Sequence, residues 1–151
     1  MKEERVFIQT DKMKIEGLLD NAPGEKAVIV THPHPLYGGD MNNNVVAAVV
    51  EAYRGRGYTT LRFNFRGVGQ SEGNYDEGIG EQEDVRAGLL YLNGVGKSSI
   101  DLAGYSFGAW VHAMGLESFQ YPRRMIMVSP PVNFINFSFL GYSAKIQLVI
   151  A

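Results

Sequence analysis

A chain of 151 residues, 45% hydrophobic and 20% charged, has the length of one domain and enough apolar content to bury a core, which argues against disorder along its length. Its formal net charge of −2 leaves no basic surplus for neutralising phosphates, which argues against nucleic-acid binding; the lack of cysteine excludes disulfides, thiolate metal sites and a thiol nucleophile. The opening "MKEERVFIQTD" is not a signal peptide and no stretch nears the roughly 20 apolar residues of a membrane span, so a soluble, cytoplasmic single domain over 1–151 without a membrane partner is expected.

Short alternating segments at Arg5 to Gln9 and Met13 to Leu19 flank "TDK" and predict a hairpin. After the loop "NAPGE", the β-branched run Lys26 to His32 has the pattern of a strand buried on both faces. "PHPLYGGDMN" is a loop, and "NNVVAAVVEAYRGRGY" a helix with asparagines to cap it and Gly55 or Gly57 to end it. Thr59 to Phe65 is the next strand, followed by a glycine-rich loop from Arg66 to Gly78. The helix in "IGEQEDVRAGLLYLNGVG" should put Val85, Leu89, Leu90 and Leu92 on one inward face and Glu81, Glu83 and Asp84 on a solvated one, with one salt bridge to an arginine as an option. A strand at Ile100 to Ala103, a helix at Phe107 to Leu116, and strands at Arg123 to Ser129 and Ala144 to Ile150 complete the chain. This order predicts an α/β architecture, a mostly parallel sheet with helices on both faces behind an N-terminal antiparallel hairpin.

Gly104-Tyr105-Ser106-Phe107-Gly108 matches G-x-S-x-G between a strand and a helix, where a nucleophile elbow sits. Such a turn is strained, and the small residues two places either side of the serine relieve the crowding. It would present the Ser106 hydroxyl above the sheet and turn the Phe107 N–H toward an oxyanion. The plainer alternative is that Ser106 merely caps the helix. "THPHPLYGGD" follows the third strand, where the second oxyanion donor of such a site arises. Pro33 and Pro35 have no N–H, so the His34 N–H is the expected donor, with Leu36 or Tyr37 behind it. Tyr37 and Tyr105 are the candidate substrate contacts, although aromatic residues such as Phe63, Phe65 and Tyr105 serve more often as core.

Together, "HPHPLYGG", "RFNFRGVGQSEG" and "GYSFGA" resemble small bacterial serine hydrolases of the α/β-hydrolase superfamily, of the dienelactone-hydrolase-like and serine-aminopeptidase-like esterase kind. The resemblance runs from the first hairpin to Ile150. It implies hydrolysis of small acyl substrates by a Ser-His-Asp triad, with no cofactor and little or no lid. In that family the acid and the histidine come after the strand that "KIQLVIA" resembles, yet no Asp or Glu follows Glu117 and no His follows His112.

His112, six residues beyond Ser106, would lie about 9 Å along the helix axis and away from the bend. A base at His32 or His34 would occupy the space of the acyl oxygen, and Asp101 should lie toward the far end of its strand. The reading is therefore an incomplete domain lacking the last strand or strands and helices, inactive alone, with the triad Asp and His in a missing C-terminal segment. Alternatively a partner chain, such as a second copy in a homo-oligomer, covers the apolar edge "KIQLVIA". A non-catalytic binding or scaffold protein of the same fold is the competing function.

His32-x-His34 lacks a third ligand for a catalytic zinc, so no metal is expected. "GVGKSS" precedes a strand where a phosphate loop should follow one, and "GVGQSEG" lacks the third glycine of a dinucleotide site. The first is a helix-to-strand turn; the second is either an ordinary surface loop or a wall of the acyl site.

Overall fold

The computed structural model describes residues 2–133, 137 and 145–150. Its strands are β1 (Glu4–Gln9), β2 (Lys14–Asp20), β3 (Lys26–Thr31), β4 (Thr59–Phe63), β5 (Ser99–Tyr105), β6 (Pro122–Val128) and β7 (Ile146–Ile150). The helices are α1 (Asn44–Arg54), α2 (Ile79–Gly94) and α3 (Phe107–Gly115). The strands form one sheet in the order β1-β2-β4-β3-β5-β6-β7, antiparallel from β1 to β4 and parallel thereafter. This is the expected α/β-hydrolase fold, hairpin included.

Strand β3 shows why helices flank the sheet on both sides. Its apolar run alternates, sending Val28 and Val30 to one face and Ala27 and Ile29 to the other. On the first face α1 lays down Val46, Val50 and Tyr53, spaced by four and three residues as a helical stripe requires. The Asn43 side chain starts that helix by accepting the Val45 and Val46 N–H groups. On the second face α2 and α3 bury Val85, Leu89, Leu92, Phe107 and Val111 against Ile29, Leu61, Phe63 and Leu102.

Two expectations for α2 need correction. Leu90 is not inward: it is 55% exposed, because one residue turns it about 100° from its buried neighbour Leu89. Glu81 and Asp84 do not face solvent but are fully buried on the same stripe as Val85 and Leu92. Each has found partners that replace water. Asp84 accepts from the Arg66 guanidinium at 2.8 Å and the Arg66 N–H at 2.9 Å, while Glu81 accepts the Asp76 and Gly78 N–H groups, both at 2.9 Å. Glu83 alone faces outward and pairs with Arg86 on the next turn.

Other boundaries shift slightly. β4 stops at Phe63 rather than Phe65, because the Asn64 and Phe65 N–H groups go to Glu16 O and the His32 ring instead. β3 ends at Thr31, and β5 is longer than expected at both ends, from Ser99 to Tyr105. Asp101 lies in the N-terminal half of β5, paired with Arg124 at 2.8 Å. In the turn 95–98, the buried Lys97 ammonium donates to Ala22 O and Gly24 O, a structural role. Among the described residues β7 is the edge strand opposite β1, with Leu148, Val149 and Ile150 exposed; Ala144 and Ala151 lie outside the described residues. No described helix is long and apolar enough to cross a membrane.

Candidate active site

Strand β3 lies between β4 and β5, and the chain leaves it for α1 on one face but leaves β5 for α3 on the other. Such a switch opens a crevice at the carboxyl ends of the strands, the usual ligand position in open α/β sheets. Thr31 pairs with Gly104 across β3 and β5, so the segment after Thr31 and the bend after Tyr105 emerge side by side.

Ser106 is the bend. Its φ of 54° and ψ of −113° lie where non-glycine residues are strained, and strain of this kind clusters at functional sites. Its side chain makes no capping bond to α3, which removes the alternative of a simple helix cap. The neighbouring glycines are sterically required: a Cβ on Gly104 would come within 2.5 Å of Ala109 N, and one on Gly108 within 2.8 Å of Thr31 O. Phe107 opens α3, and its N–H, in the first turn, has no backbone acceptor among the described residues.

Beyond Thr31, His32 is fully buried and Pro35–Tyr37 form a single 3-10 turn capped by the His34 side chain, which accepts the Leu36 N–H. The His34 N–H has no acceptor among the described residues. The His34 ring lies 4.9 Å from the Phe107 ring, 4.7 Å from Tyr37 and 5.2 Å from Tyr75, centroid to centroid, so the loop and the bend meet through aromatic packing. Tyr37 is 85% exposed; Tyr105 closes β5 half-buried.

The three histidines are committed elsewhere. His32 Nε2 accepts the Phe65 N–H at 3.0 Å, so the proton sits on Nδ1, which donates to Pro33 O at 2.7 Å. His34 Nδ1 is an acceptor and Nε2 lies 3.3 Å from the Tyr75 hydroxyl. His112 Nε2 lies 3.1 Å from Thr31 Oγ1 and its Nδ1 has no partner among the described residues. Burial lowers the pKa of His32 to about 4, with the bond to Pro33 and the charge of Asp40 opposing, and lowers that of His112 to about 3. Burial also lowers that of His34, against the field of Glu81.

Solved structures share this arrangement of the chain. An α/β serine hydrolase homologue from Coxiella burnetii is 38% identical, with a TM-score of 0.89 over 99% of this chain and 74% of its own. The chain belongs to the α/β serine hydrolases. A lidless α/β serine hydrolase from Xanthomonas campestris is 31% identical (TM-score 0.87, 98% of this chain, 70% of its own), and an esterase from Pyrococcus furiosus 28% (0.78, 87% and 53%). An uncharacterised protein of Rickettsia prowazekii (strain Madrid E) is 40% identical over 144 residues, 91% of this chain and 60% of its own. The chain thus spans about 60% of the length of that curated relative. No family model matches the chain.

The bend also has supports that its sequence motifs do not name. Tyr75 lies on the loop before α2, and the buried Glu81 fixes the turn that follows, where Glu77 and Gly78 both have positive φ. Gly78 in turn lies against Trp110 on α3, and a Cβ there would come 2.6 Å from Met114 Cε. The glycine-rich loop is also anchored from below, with Asn64 Nδ2 and Gln70 N–H both donating to the buried Glu16 carboxylate. A cleft of about 770 Å³ between the hairpin turn (Thr10, Met13) and α2 (Ile79, Leu90) shares no lining residue with the Ser106 bend, Phe107 or His34.

Proposed function

We propose that this α/β serine hydrolase cleaves ester or related acyl bonds of small substrates, with Ser106 as the nucleophile. The observation that carries the reading is the strained, uncapped Ser106 between β5 and α3, with glycines required two residues to either side. Two further features support it. The N–H groups of Phe107 and His34 are without acceptors among the described residues, and they come from two elements joined by the Thr31–Gly104 pairing. Their residues also touch through their rings.

In this reading Ser106 Oγ attacks the carbonyl carbon and its proton passes to a histidine base. The Phe107 and His34 N–H groups hold the oxygen that gains charge. Collapse expels the alcohol, which takes the proton back, and a water repeats the sequence to release the acid and regenerate Ser106. Tyr37 and Tyr105 would line the path of the substrate. The chemistry needs no cofactor.

His32, His34 and His112 are all held in other hydrogen bonds, so none of the three is assigned as the base. The expectation is that the full-length gene product hydrolyses a simple aryl ester such as p-nitrophenyl acetate, while the 151-residue chain alone does not turn over. Hydrolysis by the full-length product that is unchanged in Ser106→Ala would refute the nucleophile. A full-length product that binds esters without cleaving them would favour the non-catalytic alternative.

A further inference from the structure

We propose that His32 is a positioning residue that aims the His34 N–H at the reacting carbonyl oxygen, by holding the Pro33–His34 peptide plane. The inference rests on the preceding reading of that N–H as an oxyanion donor.

In a trans peptide the carbonyl of one residue and the N–H of the next lie in one plane and point in opposite directions. No peptide bond among the described residues is cis, so whatever fixes the Pro33 carbonyl also fixes the direction of the His34 N–H. The His32 Nδ1–H is bonded to that carbonyl at 2.7 Å. Gly39 covers the same oxygen, since a Cβ at 39 would overlap Pro33 O and come 2.6 Å from His34 O. The plane is therefore gripped at its carbonyl end, and the N–H at its other end has no acceptor among the described residues.

The ring is itself held in the tautomer that this job requires. The Phe65 N–H, two residues beyond β4, donates to Nε2 at 3.0 Å, which keeps the proton on Nδ1. The Phe65 ring packs edge-on against the imidazole, centroids 4.8 Å apart, and His32 is fully buried. A relay thus runs from the backbone just after β4, through a neutral imidazole, to one peptide plane of the loop. Burial keeps the ring neutral at ordinary pH, so both bonds persist there.

Two substitutions separate aiming from filling space. Asparagine can place its Nδ2–H near the position of Nδ1 and keep the bond to Pro33. Glutamine is closer to histidine in size but carries its polar group near Nε2, so it keeps the Phe65 contact and loses the grip on Pro33. In the full-length protein, His32→Gln is expected to lower kcat for p-nitrophenyl acetate about 100-fold with KM within about 2-fold, the scale of losing one oxyanion donor. His32→Asn is expected to stay within about 5-fold of wild type. If Gln matches or exceeds Asn, or if the loss falls on KM, the proposal is overturned.

Should neither variant fold, ¹⁵N imidazole shifts of the unaltered protein decide. A protonated Nδ1 with a bare Nε2 at His32 supports the relay, and the opposite or a mixed tautomer overturns it. Hydrolysis that survives Ser106→Ala would instead remove the underlying nucleophile reading, and the aim with it.

Discussion

Gly108 lies directly against the Thr31 backbone: a Cβ at 108 would stand 2.8 Å from Thr31 O. The first turn of α3 therefore sits on the end of β3, where the His32–His34 segment begins. Ser106 and the loop are held together by close backbone approach. A methyl group at this point has both the Thr31 hydroxyl and the Thr31 backbone in its way. Gly108→Ala is expected to cost about 1–3 kcal/mol, the range for overpacking a filled interior. Gly104→Ala, whose Cβ would meet Ala109 N, should cost a similar amount. Urea unfolding of each variant at pH 7 checks this, and a wild-type midpoint for both would contradict the packing described.

His112 and His32 make the fold sensitive to acid. Their pKa values in the folded chain are about 3 and about 4, against 6.5 when exposed. Between those limits the unfolded chain binds protons that the folded chain does not, so stability falls as pH drops below 6.5. The loss approaches about 1.4 kcal/mol per pH unit for each ring below pH 6, or about 2 kcal/mol each from pH 7 to 5. His112→Gln should remove one of the two contributions. Comparing urea midpoints at pH 7 and pH 5 tests this; a variant whose drop equals that of wild type would contradict the assignment.

Arg66 holds the Asp84 carboxylate where no water reaches it. Burial pushes the Asp84 carboxyl up, while the Arg66 guanidinium and N–H pull it back. Arg66→Met should cost about 3–5 kcal/mol, because a buried charge is left unpaired. The folded carboxyl already binds a proton more tightly than the unfolded one and does so further without Arg66, so the stability gap between variant and wild type should narrow as pH falls. Arg66→Met combined with Asp84→Asn should be milder than Arg66→Met alone. Chemical unfolding at pH 7 and 5 measures both effects, and additive losses in the double variant would count against a direct pair.

Much of this was legible in the letters, for physical reasons. A strand that bends sharply into a helix needs small residues at fixed offsets, so the spacing of Gly104, Ser106 and Gly108 is enough to advertise the turn. The run Lys26 to Thr31 identifies a doubly covered strand because both faces need apolar side chains. The buried carboxylates were not legible. Glu81 and Asp84 look like a solvated helix face because charge alone does not reveal a partner, and Arg66 lies 18 residues upstream of Asp84. The local hint was Glu81 three residues after Gly78, the spacing of a capping carboxylate. The tautomer of His32 was equally hidden, since it depends on a backbone N–H 33 residues away.

Covalent labelling by a fluorophosphonate probe decides whether Ser106 is the nucleophile of an acyl hydrolase. The full-length protein should carry the phosphonyl group on Ser106, found by peptide mass mapping, and Ser106→Ala should carry none. Labelling that persists in Ser106→Ala, or a wild-type adduct mapped to another serine, would contradict the account.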